Sequence, residues 1–164
     1  MDTAPSTHLH EMLKGFHVGM IVTRAEDGEL RARPMMLAET PADETLWFMT
    51  DRNSGKMDEI THDNRVNVTM QSSNKFISIS GSATAVEDRQ KIAELWKEPF
   101  KVWFPGGKDD PSLVLIQVRG QTCEYWDNSG MSGIQYLIEA GKAYLSGTRP
   151  HLANDTKVHG KVHL

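Results

Sequence analysis

The extended runs of this chain follow one another across short polar turns. His17–Thr23 (HVGMIVT) and Leu30–Ala38 (LRARPMMLA) flank Glu26-Asp27-Gly28-Glu29, and Asp-Gly between two extended runs marks a hairpin. A turn at Thr40–Glu44 leads into Leu46–Thr50 (LWFMT). Ser72–Lys75 joins Val66–Gln71 (VNVTMQ) to Phe76–Val86 (FISISGSATAV), and Leu113–Tyr125 (LVLIQVRGQTCEY) is the last long run. A doubly wound parallel sheet needs a repeating strand–helix alternation, which this order lacks. The sequence therefore predicts a mainly β fold with a few inserted helices: antiparallel strands closing into a small closed or split barrel. Gly81 and Gly120, inside long strands, predict bulges or close backbone approaches. Pro34 cannot donate to a ladder, which predicts an edge or a bulge there.

Four helices are expected. Leu9, Met12, Leu13 and Phe16 form one apolar stripe over residues 6–16. A second helix starts at Lys56 and runs to about Thr61. A third covers Asp88–Lys97, with Asp88 as cap and Ile92, Leu95 and Trp96 as its stripe. A fourth covers Ser132–Leu145, with Gly147 at its end. Residues 1–147 read as one domain and 148–164 as a polar, solvated tail with three histidines.

Composition excludes several functions. The net charge of −4 offers no basic field to nucleic acid. No apolar run has the length of a membrane span. MDTAPSTHLHEM has neither the basic nor the apolar region of a signal peptide, so a cytoplasmic location is expected. The single cysteine, Cys123, forbids an internal disulfide and reads as a small core residue. G-x-G-x-x-G, Walker, C-x-x-C, H-E-x-x-H and G-x-S-x-G motifs are all absent. His8, His10 and Glu11 lie off the apolar stripe, and no metal site is expected.

The chemistry concentrates in Leu46–Ile60, LWFMTDRNSGKMDEI. Its strand floors a flat apolar ligand, and its turn leads to a helix start whose N–H groups have no intrahelical partner. Ser54 as N-cap, Gly55 allowing close approach and Lys56 at the rim suit a phosphate. An ordinary strand–turn–helix connection explains the same residues. Arg31 and Arg33 share one strand face, either solvated or supplying forked donors to a ring edge or phosphate. Glu98–Asp110, rich in aromatics, either covers a ligand or anchors itself to the core through Phe100, Trp103 and Phe104.

Five stretches in order, DGELRARPMM, LWFMTDRNSGKMDEI, NKFISISGSATAVED, VWFPGGKDDPSLVLIQV and CEYWD, resemble the general stress protein 26 group of the pyridoxamine 5′-phosphate oxidase-like superfamily. The resemblance spans residues 6 to 147. It implies an antiparallel Greek-key split barrel, a homodimer with flavin at the subunit interface, and FMN as cofactor, with FAD as the other candidate. By the family pattern, the strand from Arg33 through Pro34, Met35 and Met36 to Leu37 lines the flavin ring with backbone groups, and an arginine there helps hold the cofactor. Met49 and Thr50 match the aromatic-Thr pair of the true oxidases, and Lys56 their phosphate-binding lysine. Gly55 stands where those oxidases carry an arginine. Trp126 corresponds to an aromatic packing near the ring from the other subunit. The C-terminal substrate-binding motif of the true oxidases has no match, so a different small substrate is expected. The chain then reads as an FMN-dependent oxidoreductase. A flavin carrier or sensor without strong turnover is the alternative, and a cofactor-free interaction module a third. No His or carboxylate is tied to the site by spacing, so no general acid or base is assigned.

Overall fold

The computed structural model describes residues 3–39, 45–129, 142, 144–147 and 159–164. The elements run α1 (Thr3–Leu13), β1 (Val18–Arg24), β2 (Leu30–Glu39), β3 (Thr45–Asp51), α2 (Gly55–His62), β4 (Arg65–Gln71), β5 (Lys75–Val86), α3 (Arg89–Leu95), two short 3-10 turns (Glu98–Val102 and Gly107–Asp109), β6 (Leu113–Asp127) and β7 (His159–His163). The expected turn at Thr40–Glu44 lies outside the described residues, as does most of the expected fourth helix. Lys142 and Tyr144–Ser146 are helical, and Gly147 follows at φ 63°.

The strands lie in the order β3-β2-β1-β4-β5-β6-β7, all pairings are antiparallel, and β3 also pairs with β6. Six strands thus close a barrel, and β7 extends it alongside β6. The order β4-β1-β2-β3 is a Greek key, with α2 in the long return. The Asp-Gly hairpin forms as expected, with Gly28 at φ 89°. Gly81 coincides with a register shift against β6, and a Cβ there would lie 2.0 Å from the Arg119 carbonyl oxygen. A side chain is excluded at that crossing.

The barrel is split along one seam. β2 pairs with β3 only at Leu37 opposite Phe48 and Glu39 opposite Trp47, with a register shift between. From Leu30 to Met36, β2 has no pairing to β3. Pro34 sits in this stretch, paired to Met20 on its other side, so its missing N–H costs no ladder bond along the seam.

The core explains why β3 and β6 are almost continuously apolar. Leu46, Phe48, Val114, Ile116 and Val118 point into the barrel, joined by the α1 stripe of Leu9, Met12, Leu13 and Phe16. The opposite face, with Met49, Leu113 and Leu115, is covered by Ile92 and Leu95 of α3 and by Phe100 and Phe104. Strands buried on both faces lose the polar alternation. Asp88 caps α3 by accepting from the backbone N–H groups of Gln90 and Lys91. Trp96 falls just past the helix, at its C-cap, half-buried against the second cluster.

The tail departs from expectation. Residues 159–163 are not a solvated extension but strand β7, paired with Thr122–Trp126 of β6. Gly160 lies flat against the Tyr125 ring, where a Cβ would meet ring atoms at 2.3 Å. The docking is built by that aromatic, far away in sequence. His8, expected in solvent, is also held: its Nε2 lies 3.0 Å from Asp127 Oδ2, off hydrogen-bond alignment, and its ring tilts on Tyr125.

Candidate functional site

A cavity of about 520 Å³ opens at the seam between β2 and β3. One wall is Arg33, Pro34, Met35 and Met36 of β2, with Val18 of β1. The other is Met49, Thr50 and Asp51 of β3, with Lys56 from α2. Phe100, Trp103 and Phe104 close one side. The volume suits a single small-molecule ligand. Phe100 and Phe104 are buried while Trp103 is 70% exposed. Two rings of the aromatic loop thus anchor it to the core, and Trp103 stands exposed at the cavity mouth.

The polar end centres on Lys56. Its Nζ donates to Thr50 Oγ1 at 2.8 Å and to Ser54 Oγ at 3.0 Å. An ammonium has three donors, so two hydroxyls leave one in hand. Among the described residues, no carboxylate lies within ion-pair distance of Lys56, although Arg31, Arg33 and Arg52 all have one. Burial, then the nearby Arg33 charge, lowers the Lys56 pKa. A partly desolvated cation held by neutral hydroxyls is an incomplete electrostatic arrangement that an anion completes.

Ser54 occupies the N-cap position of α2 with extended backbone, but its hydroxyl makes no capping bond. It serves Lys56 instead. Gly55 is exposed with open space around its Cα, and it lines a second groove rather than this cavity. That groove, about 540 Å³, is bordered by Ala25, Glu26, Asp27, Arg31, Asp58, Glu59 and His62. Trp126 does not reach the cavity of its own chain. It lies on the outer face of β6, opposite Phe76 and stacked on His159 at 5.2 Å.

Glu59 is placed by tertiary contacts that its local sequence does not show. As an acid near the start of α2 it reads as a dipole-stabilising charge. It is instead only 8% exposed and turned toward the β1–β2 hairpin. It accepts from Arg33 Nη2 at 2.8 Å, from Arg31 Nη1 at 3.2 Å and from the Thr23 hydroxyl, which itself accepts from Arg33 Nη1 at 2.8 Å. Burial pushes its carboxyl up, but the bonds from Thr23, Arg33 and Arg31 outweigh that and leave it below the usual carboxylate range. Arg33 is thus part-buried and tied, while Arg31 stays exposed to solvent with Asp27, Glu29 and Glu59 as partners. No local pattern announces this, because the partners are 26 to 36 residues apart.

Fold and site together define a closed antiparallel barrel carrying a seam cavity lined by methionines, Pro34 and aromatics, with Arg33, Asp51 and Lys56 as its charged lining residues. Comparison with known proteins supplies the family. The family model described as pyridoxamine 5′-phosphate oxidase like matches residues 4–151, and the chain belongs to that family. It is 32% identical over 118 residues to Protein bli-3 of Neurospora crassa, a match covering 65% of this chain and 56% of that protein. The chain therefore matches only a little over half the length of this curated relative. A general stress protein 26 from Bacillus anthracis is 27% identical, with a TM-score of 0.64 over 72% of this chain and 93% of that one. A general stress FMN/FAD binding protein from Xanthomonas citri is 26% identical, with a TM-score of 0.64 over 75% and 90%. A general stress protein 26 from Jannaschia, 20% identical, shares the fold over 97% of this chain and 98% of its own, with a TM-score of 0.72.

Proposed function

We propose that this protein binds a flavin, FMN in the first instance, in the seam cavity, with the phosphate on Lys56 and the ring between β2 and β3. The observation that carries the reading is Lys56, a half-buried ammonium that donates to two hydroxyls and has no carboxylate partner among the described residues. The rest of the cavity fits the group. Its methionines, Pro34 and Phe104 supply flat apolar walls, and the unpaired side of β2 presents peptide groups along one edge. Such groups suit the polar rim of a planar ring.

When bound, a flavin supplies hydride or electron transfer. The chain's own part is to hold the phosphate, seat the ring, and exclude water with Phe100, Phe104 and Trp103. Asp51, Lys56 and Arg33 are the described titratable residues lining the cavity. This fits an oxidoreductase acting on a small substrate without a dedicated histidine. It fits equally a flavin carrier or sensor with little turnover, because no acid–base pair is assembled there.

The cofactor site is completed by a second copy of the chain in this reading. What supports it is an apolar strip beside the mouth: Val18 is 49%, Met20 37% and Met36 36% exposed, on adjacent strands. Covering that strip with its equivalent removes it from water. In this reading Trp126 is the aromatic that meets the ring bound in the partner's cavity, as the family resemblance implies.

The first test is the visible spectrum of the purified protein before and after adding FMN, with quenching of flavin fluorescence as the affinity readout. Binding with a shifted spectrum is expected. No binding of FMN or FAD at micromolar protein refutes the cavity assignment. Light scattering tests the second copy: a dimer is expected, and a monomer for Met20→Glu. A monomeric wild type refutes that part.

A further inference from the structure

Of the three aromatics that close one side of the seam cavity, Phe100 and Phe104 are buried in the second core cluster, but Trp103 lines the cavity while 70% exposed. A loose backbone does not account for this. The N–H groups of Trp103 and Phe104 donate to the Phe100 carbonyl at 2.9 Å and 3.0 Å, and that of Gly107 donates to the Phe104 carbonyl at 2.9 Å. Arg89 braces the far end, donating to the carbonyls of Asp110 at 2.9 Å and Pro111 at 3.3 Å. The Asp110 carboxylate accepts from the Ser112 N–H at 2.9 Å and from its hydroxyl at 2.8 Å. Trp47 has Lys91 over its ring, Trp96 meets Phe100 and Trp126 stacks on His159, whereas Trp103 has no such partner among the described residues. A large apolar ring held open at a cavity mouth carries a hydration cost that a ring-bearing ligand relieves.

We propose that Trp103 is the stacking platform of a reactant subsite, seating a planar, conjugated-ring substrate at the mouth of the seam cavity. This rests on the flavin reading above and names the substrate class of that same site. In that reading the flavin ring fills the seam between β2 and β3, so its reactant arrives through the mouth, where Trp103 stands. An indole face attracts a flat π-system by offset stacking, beyond the area covered. A saturated, puckered molecule of equal size gains only the area. The braced backbone has little freedom to lose when the ligand arrives, which favours the complex. Phe100 and Phe104 already hold the segment to the core, so the exposed indole is not needed for that anchoring.

The test titrates FMN-loaded protein with naphthoate and with its fully saturated counterpart, two carboxylates of the same skeleton of which only the first is planar. Affinities come from calorimetry. The indole N–H signals in proton–nitrogen correlation spectra report the place of binding, the Trp103 signal being the one absent from Trp103→Leu. Wild type is expected to prefer the planar probe by roughly 2- to 12-fold, with the Trp103 signal shifted. Trp103→Leu, which keeps an apolar side chain and removes the ring, brings the ratio close to one, and Trp103→Phe restores most of the preference. FMN affinity stays within about twofold in both variants, since the platform meets the reactant and not the cofactor. A ratio equal in wild type and Trp103→Leu overturns the proposal. So does a loss of FMN affinity in Trp103→Leu as large as the loss of naphthoate affinity, which makes Trp103 a cofactor contact. A change of oligomeric state in that variant by light scattering makes it a subunit contact and overturns the proposal as well. A wild type that takes up no FMN overturns the flavin reading itself, and this inference falls with it, whereas FMN uptake with an unmoved ratio overturns this inference alone.

Discussion

Replacing Lys56 by methionine separates the binding role of this residue from its cost to the fold. The ammonium is half-buried, donates to Thr50 and Ser54, and has no carboxylate within ion-pair distance among the described residues. Methionine keeps the length and apolar stem and removes the charge. The two hydroxyls lie 3.4 Å apart and still reach each other, so no buried donor is orphaned. The unliganded variant is therefore expected to be as stable as wild type or slightly more so, by about 0.5–1 kcal/mol, through relief of desolvation. For a domain near this size that is a rise of about 1–4 °C in Tm. Binding moves the other way. A charged hydrogen bond to phosphate contributes about 1.5–3 kcal/mol, so FMN affinity falls roughly 10- to 150-fold. Riboflavin, lacking the phosphate, stays within about twofold, a bound set by hydrogen-bond energetics. The assay is fluorescence-quenching titration with both ligands, beside thermal melts of the apoprotein. An FMN affinity unchanged in Lys56→Met refutes the phosphate placement. A large loss of stability refutes the view of Lys56 as an unpaired charge that the fold tolerates for its ligand.

Three other outcomes follow from the packing. Gly81→Ala should cost about 3 kcal/mol or more in urea unfolding, because its Cβ would sit 2.0 Å from the Arg119 carbonyl oxygen and backbone must move; a cost under about 1 kcal/mol would contradict the crossing of β5 and β6. The Glu59 carboxyl is lowered in the folded state from its ordinary 4.5; its contribution to stability is thus fully present above pH 4.5 and lost as pH falls through the folded value. The stability gap between wild type and Glu59→Gln should shrink over that acid range, and a gap constant from pH 7 to pH 3 would be evidence against an ionised Glu59 (limits of about two pH units either side of the usual carboxylate range). Cys123 is fully buried, with its thiol pushed up to about 12 by burial and then by the Glu124 charge; native protein at pH 8 should resist iodoacetamide over hours and label promptly in denaturant, as read by mass spectrometry.

The sequence alone determined whatever is set by neighbours along the chain. Asp27-Gly28 dictates a turn, Leu9, Met12, Leu13 and Phe16 dictate a helix face, and Asp88 caps its helix by itself. Period and turn chemistry are local, and so they survive being read one window at a time. Seven of the ten proposed site residues line one cavity for the same reason: Arg33, Pro34, Met35 and Met36 are consecutive, and Met49, Thr50 and Lys56 share one strand–turn–helix. Ser54 acts one bond away, through Lys56, while Gly55 faces the neighbouring groove and Trp126 the outer surface.

Tertiary structure decided the rest. Closure of β3 onto β6 places Trp47 opposite Gln117, and the seam that opens the cavity exists only because β2 pairs with β3 from Leu37 onward and not before it. The residues at 159–163 are mostly polar and become a strand only because β6 offers a free edge and Tyr125 a flat ring. Glu59 became the keeper of Arg33 by burial against a hairpin 26 residues upstream. A carboxylate's role depends on what desolvates it and which donors surround it, and both come from chain segments that meet only in the folded state.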